Sequence, residues 1–186
     1  MYERLKKSLN ECPVVSIGEY QYFVHPVTDG IPLMDPALLR EILDGILAVG
    51  DFDCDCILAP EAMGIPLAVP LSLELGIPYN VIRKKRYGLP GEVHISQHTG
   101  YSRSKMYING VSKGDRVVVV DDVLSTGGTM RALIDALKRV IGAEIVDVIV
   151  VFEKTRSKAD IETELGVRIK SLLAVEMVDG RPVYRE

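Results

Sequence analysis

Two adjacent carboxylates, Asp121 and Asp122, are followed by Val123, Leu124, Ser125, Thr126, Gly127, Gly128 and Thr129. The hydroxyls of Ser125, Thr126 and Thr129 are donors, and Gly127 and Gly128 let the backbone come close to a ligand. A helical pattern starts at once: Met130, Leu133, Ile134, Leu137 and Ile141 share one face, and Gly142 can close the helix. A helix N-terminus offers unpaired N–H groups and a positive dipole end, which suits phosphate. Carboxylates would repel phosphate, so Asp121 and Asp122 suit sugar hydroxyls, or a metal that also touches the ligand. The set fits a ligand with a phosphate at one end and a polyol beside it, such as a ribose phosphate. A plain strand-to-helix turn with solvated acids is the alternative. The acids, hydroxyls and paired glycines coincide in one turn, which argues against it.

Other stretches could complete such a site. Arg83, Lys84, Lys85 and Arg86 run into Tyr87-Gly88-Leu89-Pro90-Gly91, a flexible basic loop in a chain of net charge −4. Glu61-Ala62-Met63-Gly64 is a second loop between a strand and a helix. Val93–Ser96 and Met106–Ile108 read as two strands of a hairpin. His94 and His98 on it lack a third ligand and read as surface polar groups. Cys54 and Cys56 read as core-edge thiols, and with Cys12 they make no disulfide framework.

These groups need a scaffold that brings loops to one edge. Val117 to Val120 read as a strand buried on both faces, with the two acids where it ends. Cys56–Ala59, Tyr79–Arg83, Ile145–Phe152 and Ser171–Val175 read as further strands, the last of these closing the fold. Asp35 caps a helix with Pro36 at its first position and Gly50 at its end. Helices are also expected over Ile65–Leu75, closed by Gly76, over 129–141, and over Ala159–Leu165, closed by Gly166. Residues 1–34 read as irregular, with a strand or hairpin edge at Tyr20, Tyr22, Phe23 and Val24 and a turn at 28–32. A turn is expected at 179–182. Alternating strands and helices predict an α/β fold, a parallel sheet with helices on both faces. Open sheets of this kind bind ligands outside the carboxyl ends of their strands.

With 186 residues the chain is most simply one domain, 1–186. Charged residues at 26% and a net charge of −4 give no case for nucleic-acid or membrane binding. No signal peptide is visible at the start and no apolar run approaches the roughly 20 residues of a membrane helix, so a cytoplasmic protein is expected.

The run from Val117 to Thr129 resembles the phosphoribosyl-pyrophosphate (PRPP) motif of the type I phosphoribosyltransferases: a hydrophobic strand, two acids, two apolar residues and a Ser/Thr/Gly loop. The resemblance spans roughly residues 35 to 155. Glu61-Ala62-Met63-Gly64 is similar to the Glu-Ala-Arg-Gly of adenine-type members, with Met63 in place of the arginine. Arg83-Lys84-Lys85 with Leu89-Pro90-Gly91 is similar to their basic segment, with Gly88 where a lysine usually stands. The hairpin is similar to their mobile flap through Ser96 and Tyr101, but Gly100 falls where adenine enzymes carry a glutamate.

The resemblance implies a phosphoribosyltransferase core of four to five parallel strands, a flap hairpin, and a small hood from residues 1–34 and the C-terminal segment. It implies magnesium with PRPP as co-substrate, Asp121 and Asp122 on ribose hydroxyls directly or through the metal, and Ser125, Thr126, Gly127, Gly128 and Thr129 on the 5′-phosphate. Glu61, Ala62, Met63, Gly64, Arg83, Lys84, Lys85 and Arg86 fall to pyrophosphate, and Val123 and Lys154 to the base. The likeness is greatest to archaeal hypoxanthine/guanine enzymes, which implies a purine-salvage homodimer making IMP or GMP. Adenine is the alternative base, and a non-catalytic PRPP- or purine-binding regulator the alternative class.

Overall fold

The computed structural model describes residues 1–18, 20–98 and 103–185, with backbone alone at 17, 20, 97, 98, 103 and 104. The elements run α1 (Glu3–Glu11), β1 (Val14–Ile17), β2 (Tyr20–Phe23), α2 (Pro26–Asp29), α3 (Pro36–Val49), β3 (Cys56–Pro60), α4 (Ile65–Leu75), β4 (Tyr79–Ile82), β5 (Val93–His98) and β6 (Arg103–Ile108). They continue with β7 (Arg116–Leu124), α5 (Gly128–Asp135), β8 (Glu144–Glu153), α6 (Lys158–Leu165), β9 (Lys170–Val178) and β10 (Arg181–Arg185).

The main sheet has the order β10-β9-β8-β7-β3-β4. The strands from β9 to β4 are parallel, and β10 lies antiparallel on the β9 edge. Val117 to Val120 are wholly buried in β7, as a strand covered on both faces requires. On one face Ile42, Ile46, Leu67 and Leu71 of α3 and α4 pack with Val118, Val120 and Ile149. On the other, Met130, Leu133 and Ile134 of α5 and Met106 of the β5–β6 hairpin pack with Val117, Val119 and Val148. Each such side chain contributes about 1.5–3 kcal/mol by burial. This α/β core is the expected one. Its parallel strands end together, so the loops after Pro60, Ile82, Leu124 and Glu153 share one edge.

The helix signals act as expected. Asp35 accepts the Ala37 N–H at 3.0 Å beside Pro36, and Gly76 closes α4 with a φ of 68°. The helix expected over 129–141 changes winding on the way: after Asp135 it continues as a π-helical turn, Ala136–Ile141, closed by Gly142.

Three expectations are corrected. Asp121 and Asp122 lie within β7, which pairs with β8 as far as Leu124. The strand therefore carries the acids through its last turns of the ladder. The final strand is not Ser171–Val175. β9 continues to Val178 and turns at Asp179 and Gly180, both at positive φ, into β10. The C-terminal segment thus extends the sheet, and Pro182 is tolerated because β10 is an edge strand. Residues 1–34 are not irregular. They form α1, the β1–β2 hairpin and α2. The buried residues of α1 are Leu5 and Leu9 only. That i, i+4 pair in a charged segment is too narrow a stripe to declare a helix.

This N-terminal hood shares the core of the sheet through Leu5, Leu9, Phe23 and Val27. His25 locks it. Its Nδ1 accepts the Val27 N–H at 3.1 Å, so its Nε2 carries the proton and donates to Ser8 Oγ at 2.9 Å. Ser8 Oγ donates in turn to the Leu5 carbonyl at 3.0 Å. Burial pushes the imidazole down to about 4, against a smaller upward pull from Asp29. Between about pH 6.5 and 4 the unfolded chain therefore binds a proton that the folded chain refuses. Stability contributed by neutral His25 is present above that window and falls as pH drops through it, by about 3 kcal/mol at most. In urea unfolding at a series of pH values, the wild type loses stability across this window more steeply than His25→Gln. Equal slopes would show that His25 is not held neutral.

Candidate functional site

The loop after β7 is short: Ser125, Thr126 and Gly127, with α5 starting at Gly128. Asp121 and the residues from Val123 to Met130 enclose a recess of about 40 Å³. Gly127 has a φ of +77°, which a side chain would strain. Gly128 donates its N–H to Thr126 Oγ1 at 3.4 Å. Ser125 and Thr126 are exposed at the mouth. The N-terminus of α5 thus opens on a pocket the size of a small anion, with Asp121 at its inner wall.

Asp121 is almost wholly buried and Asp122 half-buried. Burial raises both carboxyls, and the nearness of Asp121 pushes Asp122 up further. The Asp122 N–H donates to Asp121 Oδ1 at 3.0 Å. Lys84 of the basic loop stabilises the Asp121 anion, whereas Asp29 of the hood adds to the burden on Asp122. Hard oxygens in excess of cations fit magnesium. Among the described residues no three His, Cys, Asp or Glu side chains are grouped to hold a metal alone. An ion here would share the pair with oxygens of a ligand.

The basic loop is not a free flexible chain. Glu92 closes it, accepting N–H groups from Tyr87 at 2.9 Å and Gly88 at 3.0 Å and the Asn109 amide at 3.2 Å. Arg86 Nε stands 3.5 Å from the same carboxylate. Desolvation raises the Glu92 pKa, but these donors outweigh it and hold it below the usual value. Gly88 has a φ of +71°, so a lysine at that place would be strained. Lys85 lies over the Tyr87 ring at 5.4 Å.

Glu61 takes a different part from the pyrophosphate contact expected of it. Its Oε2 pairs with Arg83 Nε at 2.8 Å, and its Oε1 accepts the Lys84 N–H. The carboxylate thus orients the start of the basic loop, while the Arg83 Nη groups keep no partner among the described residues. The Glu61–Ala62 peptide is cis. Gly64 makes the close approach: a Cβ there would stand 2.8 Å from the Pro60 carbonyl oxygen and 2.9 Å from that of Val120. Met63 turns to the hood, its Sδ and Cε 3.7 Å from where a Gly30 Cβ would be.

Lys154 follows β8 and reaches under the hood, 4.2 Å from the Phe23 ring centre and 5.1 Å from that of Tyr22. Burial lowers its pKa, and Asp29 and Asp122 pull it back up. Tyr22 donates to Asp29 Oδ1 at 2.7 Å, and Thr28 to its Oδ2 at 2.7 Å. Val123 is half-buried against the same core. The hood residues Tyr22, Phe23 and Asp29 were not among the expected site residues. Nothing in their spacing signals it. Glu92, the one acid in a basic stretch, did carry a signal. Ser96 is exposed on β5, its Oγ 3.2 Å from His94 Nε2. Tyr101, like Gly100, lies outside the described residues, as does the His98 side chain.

Residues 37–171 match the phosphoribosyl transferase domain family. The chain belongs to that family. Hypoxanthine/guanine phosphoribosyltransferase of Methanocaldococcus infernus is 52% identical over 183 residues, 98% of this chain and 100% of the relative. The protein of the same name from Methanosalsum zhilinae is 50% identical over 186 residues, 100% of this chain and 97% of the relative. The crystal structure of adenine phosphoribosyltransferase from Thermoanaerobacter pseudethanolicus superposes with a TM-score of 0.75 at 25% identity, covering 94% of this chain and 99% of that one. The family match begins after the hood, so the basic loop, the cis-peptide loop and the β7–α5 turn all fall inside it.

Gly64→Ala tests how tightly the site is packed. Two backbone carbonyls face the added methyl group, so the loop must move. The expected result is a loss of about 1–3 kcal/mol in stability, with a fall in turnover of an order of magnitude or more. Thermal unfolding and initial rates read both; an unchanged variant would show slack in the loop.

Proposed function

We propose that the chain is a purine-salvage enzyme that transfers phosphoribose from PRPP to hypoxanthine or guanine, giving IMP or GMP and pyrophosphate. The observation that carries this reading is the adjacent Asp121 and Asp122, one buried and one half-buried, set between the α5 recess and the basic loop. Relatives named for this activity at 52% and 50% identity support it.

In the reaction the bond from ribose C1 to the pyrophosphate oxygen breaks, C1 gains positive charge, and a purine ring nitrogen bonds to C1 and gives up its proton. Ser125, Thr126, Gly127, Gly128 and Thr129 bind the 5′-phosphate. Asp121 and Asp122 hold the ribose hydroxyls, and their negative charge favours the cationic C1. Arg83, Lys84, Lys85 and Arg86 take up the charge of pyrophosphate with the backbone of Ala62, Met63 and Gly64, and Glu61 aims Arg83. Asp121 and Asp122 would hold magnesium, directly or through water, and it would supply charge neutralisation for the leaving group. The β5–β6 hairpin, with Ser96, closes over the reacting centre and excludes water. No residue serves as a covalent nucleophile.

Lys154 sets base choice. Its ammonium donates to the 6-oxygen of hypoxanthine or guanine, and Val123 packs beside the ring. Adenine offers an amino donor at that place, which leaves two donors opposed. We also read residues 1–186 as one domain with 1–34 as its hood, working in the cytoplasm as a homodimer on small-molecule substrates. No helix among the described residues is long and apolar enough to cross a membrane.

Incubation with PRPP, magnesium and separate bases, followed by chromatography, tests the reading. Inosine or guanosine monophosphate is expected. Adenosine monophosphate alone would reassign the base, and no nucleotide with PRPP still bound would make the chain a regulator. Asp121→Ala should abolish turnover in a folded protein; a retained rate would remove the acids from the mechanism. Lys154→Gln should cut hypoxanthine kcat/KM by about tenfold or more, the scale of one charged hydrogen bond. A variant unchanged with hypoxanthine would clear Lys154 of that role.

A further inference from the structure

The Thr126 carbonyl, in the middle of the β7–α5 loop, accepts a hydrogen bond from Arg131 Nη1 at 2.9 Å. The Nε of the same guanidinium donates to Glu164 Oε2 of α6 at 2.6 Å. A peptide unit is planar and trans, so its carbonyl and its N–H point opposite ways. Anchoring the Thr126 oxygen on Arg131 therefore turns the Gly127 N–H away from α6, and among the described residues that N–H has no partner. Gly127, lacking a Cβ, tolerates the loop peptide in either orientation, so the glycine itself does not choose between them. Arg131 does. The guanidinium sits hard against the loop: a Cβ at Gly127 would be 2.6 Å from Arg131 Nη1 and 2.6 Å from Ile161 Cδ1. Ile161 is wholly buried, so α6 backs the loop through an apolar contact as well as through the ion pair.

We propose that Arg131, steered by Glu164, is a positioning residue that fixes the Thr126–Gly127 peptide with its N–H available to the 5′-phosphate of PRPP. The inference rests on the reading of Ser125–Thr129 as the phosphate seat. Arg131 acts through the loop backbone and contributes its charge from behind. Its effect belongs to ligands that carry the 5′-phosphate and not to pyrophosphate or the base.

Ribose 5-phosphate and pyrophosphate are the probes, each used as an inhibitor of turnover by the full-length protein. In Arg131→Gln the KM for PRPP and the inhibition constant for ribose 5-phosphate should rise about tenfold, the scale of a lost charge-assisted hydrogen bond. The inhibition constant for pyrophosphate and the KM for the base should stay within about twofold. Glu164→Gln should show the same pattern more weakly, and the double variant should be no worse than Arg131→Gln alone, because both changes break one chain of contacts. Arg131→Lys should recover part of the ribose 5-phosphate affinity, since an ammonium can reach the carbonyl without bridging to Glu164. A parallel loss in all constants with a lowered unfolding temperature would reduce Arg131 to a structural residue and overturn the proposal. Unchanged ribose 5-phosphate inhibition in Arg131→Gln would overturn it too, and Thr129→Ala separates the cause. If Thr129→Ala weakens ribose 5-phosphate, the seat stands and only the role of Arg131 fails. If it does not, the seat itself is misplaced.

Discussion

Two carboxylates side by side at the end of a buried strand are an electrostatic load that the surrounding elements must manage. Burial disfavours the charged form of each, and each disfavours the charge of the other. Left alone, such a pair keeps a proton. Lys84 supports Asp121 from the side of the basic loop, whereas Asp122 feels both the repulsion of Asp29 and the attraction of Lys154. The deficit is what makes the place receptive: sugar hydroxyls or a shared cation supply what the fold withholds. The parallel order of β4, β3, β7 and β8 follows from the same need, since it delivers cations, recess and hood to the edge where the acids stand.

The cations present a mirror problem. Four in a row repel one another, and exposed ion pairs stabilise a loop little. The solution is backbone hydrogen bonding to two acids, one at each end. Glu61 receives the Lys84 N–H and Glu92 receives those of Tyr87 and Gly88. A carboxylate that accepts main-chain donors fixes the path of the chain, whereas one that only neutralises a side chain does not. Glu61 also pairs with Arg83 Nε, and among the described residues the other guanidinium nitrogens have no partner. Acids inside an anion site therefore cost some positive charge and return a defined geometry.

Much of this was legible in the sequence because the signals were local. The four valines, the Asp35-Pro36 cap and the glycines at 76, 142 and 166 specify elements by backbone chemistry alone, and these stand where they were expected. The β7–α5 turn was legible for the same reason. The misses are tertiary. Helix α1 buries only Leu5 and Leu9, and its stability comes from contacts with the sheet rather than from its own pattern. The strand β10 owes its place to pairing with β9, since Pro182 argues against a strand until the edge position is known. The contacts of Lys154 with Tyr22, Phe23 and Asp29 join residues more than a hundred positions apart, and no spacing rule reaches that far.

That distance bears on where base choice resides. The rings under Lys154 and the acid Asp29 come from the N-terminal segment, ahead of the stretch that matches the family, while Asp122 faces it from inside that stretch. Met63, in the pyrophosphate loop, turns to Gly30 of that same segment. An arginine there would bring a charge to the pyrophosphate. The thioether instead lies beside Gly30, apolar and uncharged. The chain already holds four cations in the neighbouring loop, so one more adds little charge stabilisation. Within the hood His25 bonds Ser8 and Val27, and its ring stands edge-on to Phe152 of β8 at 5.1 Å. For Lys154 to discriminate between an oxygen and an amino group, as proposed, the ring must be held at a fixed height above Val123, and a pocket assembled from a separate hairpin needs such ties. On the proposed reading, precision at the base depends on the contacts between hood and sheet, with Asp122 near enough to act on Lys154.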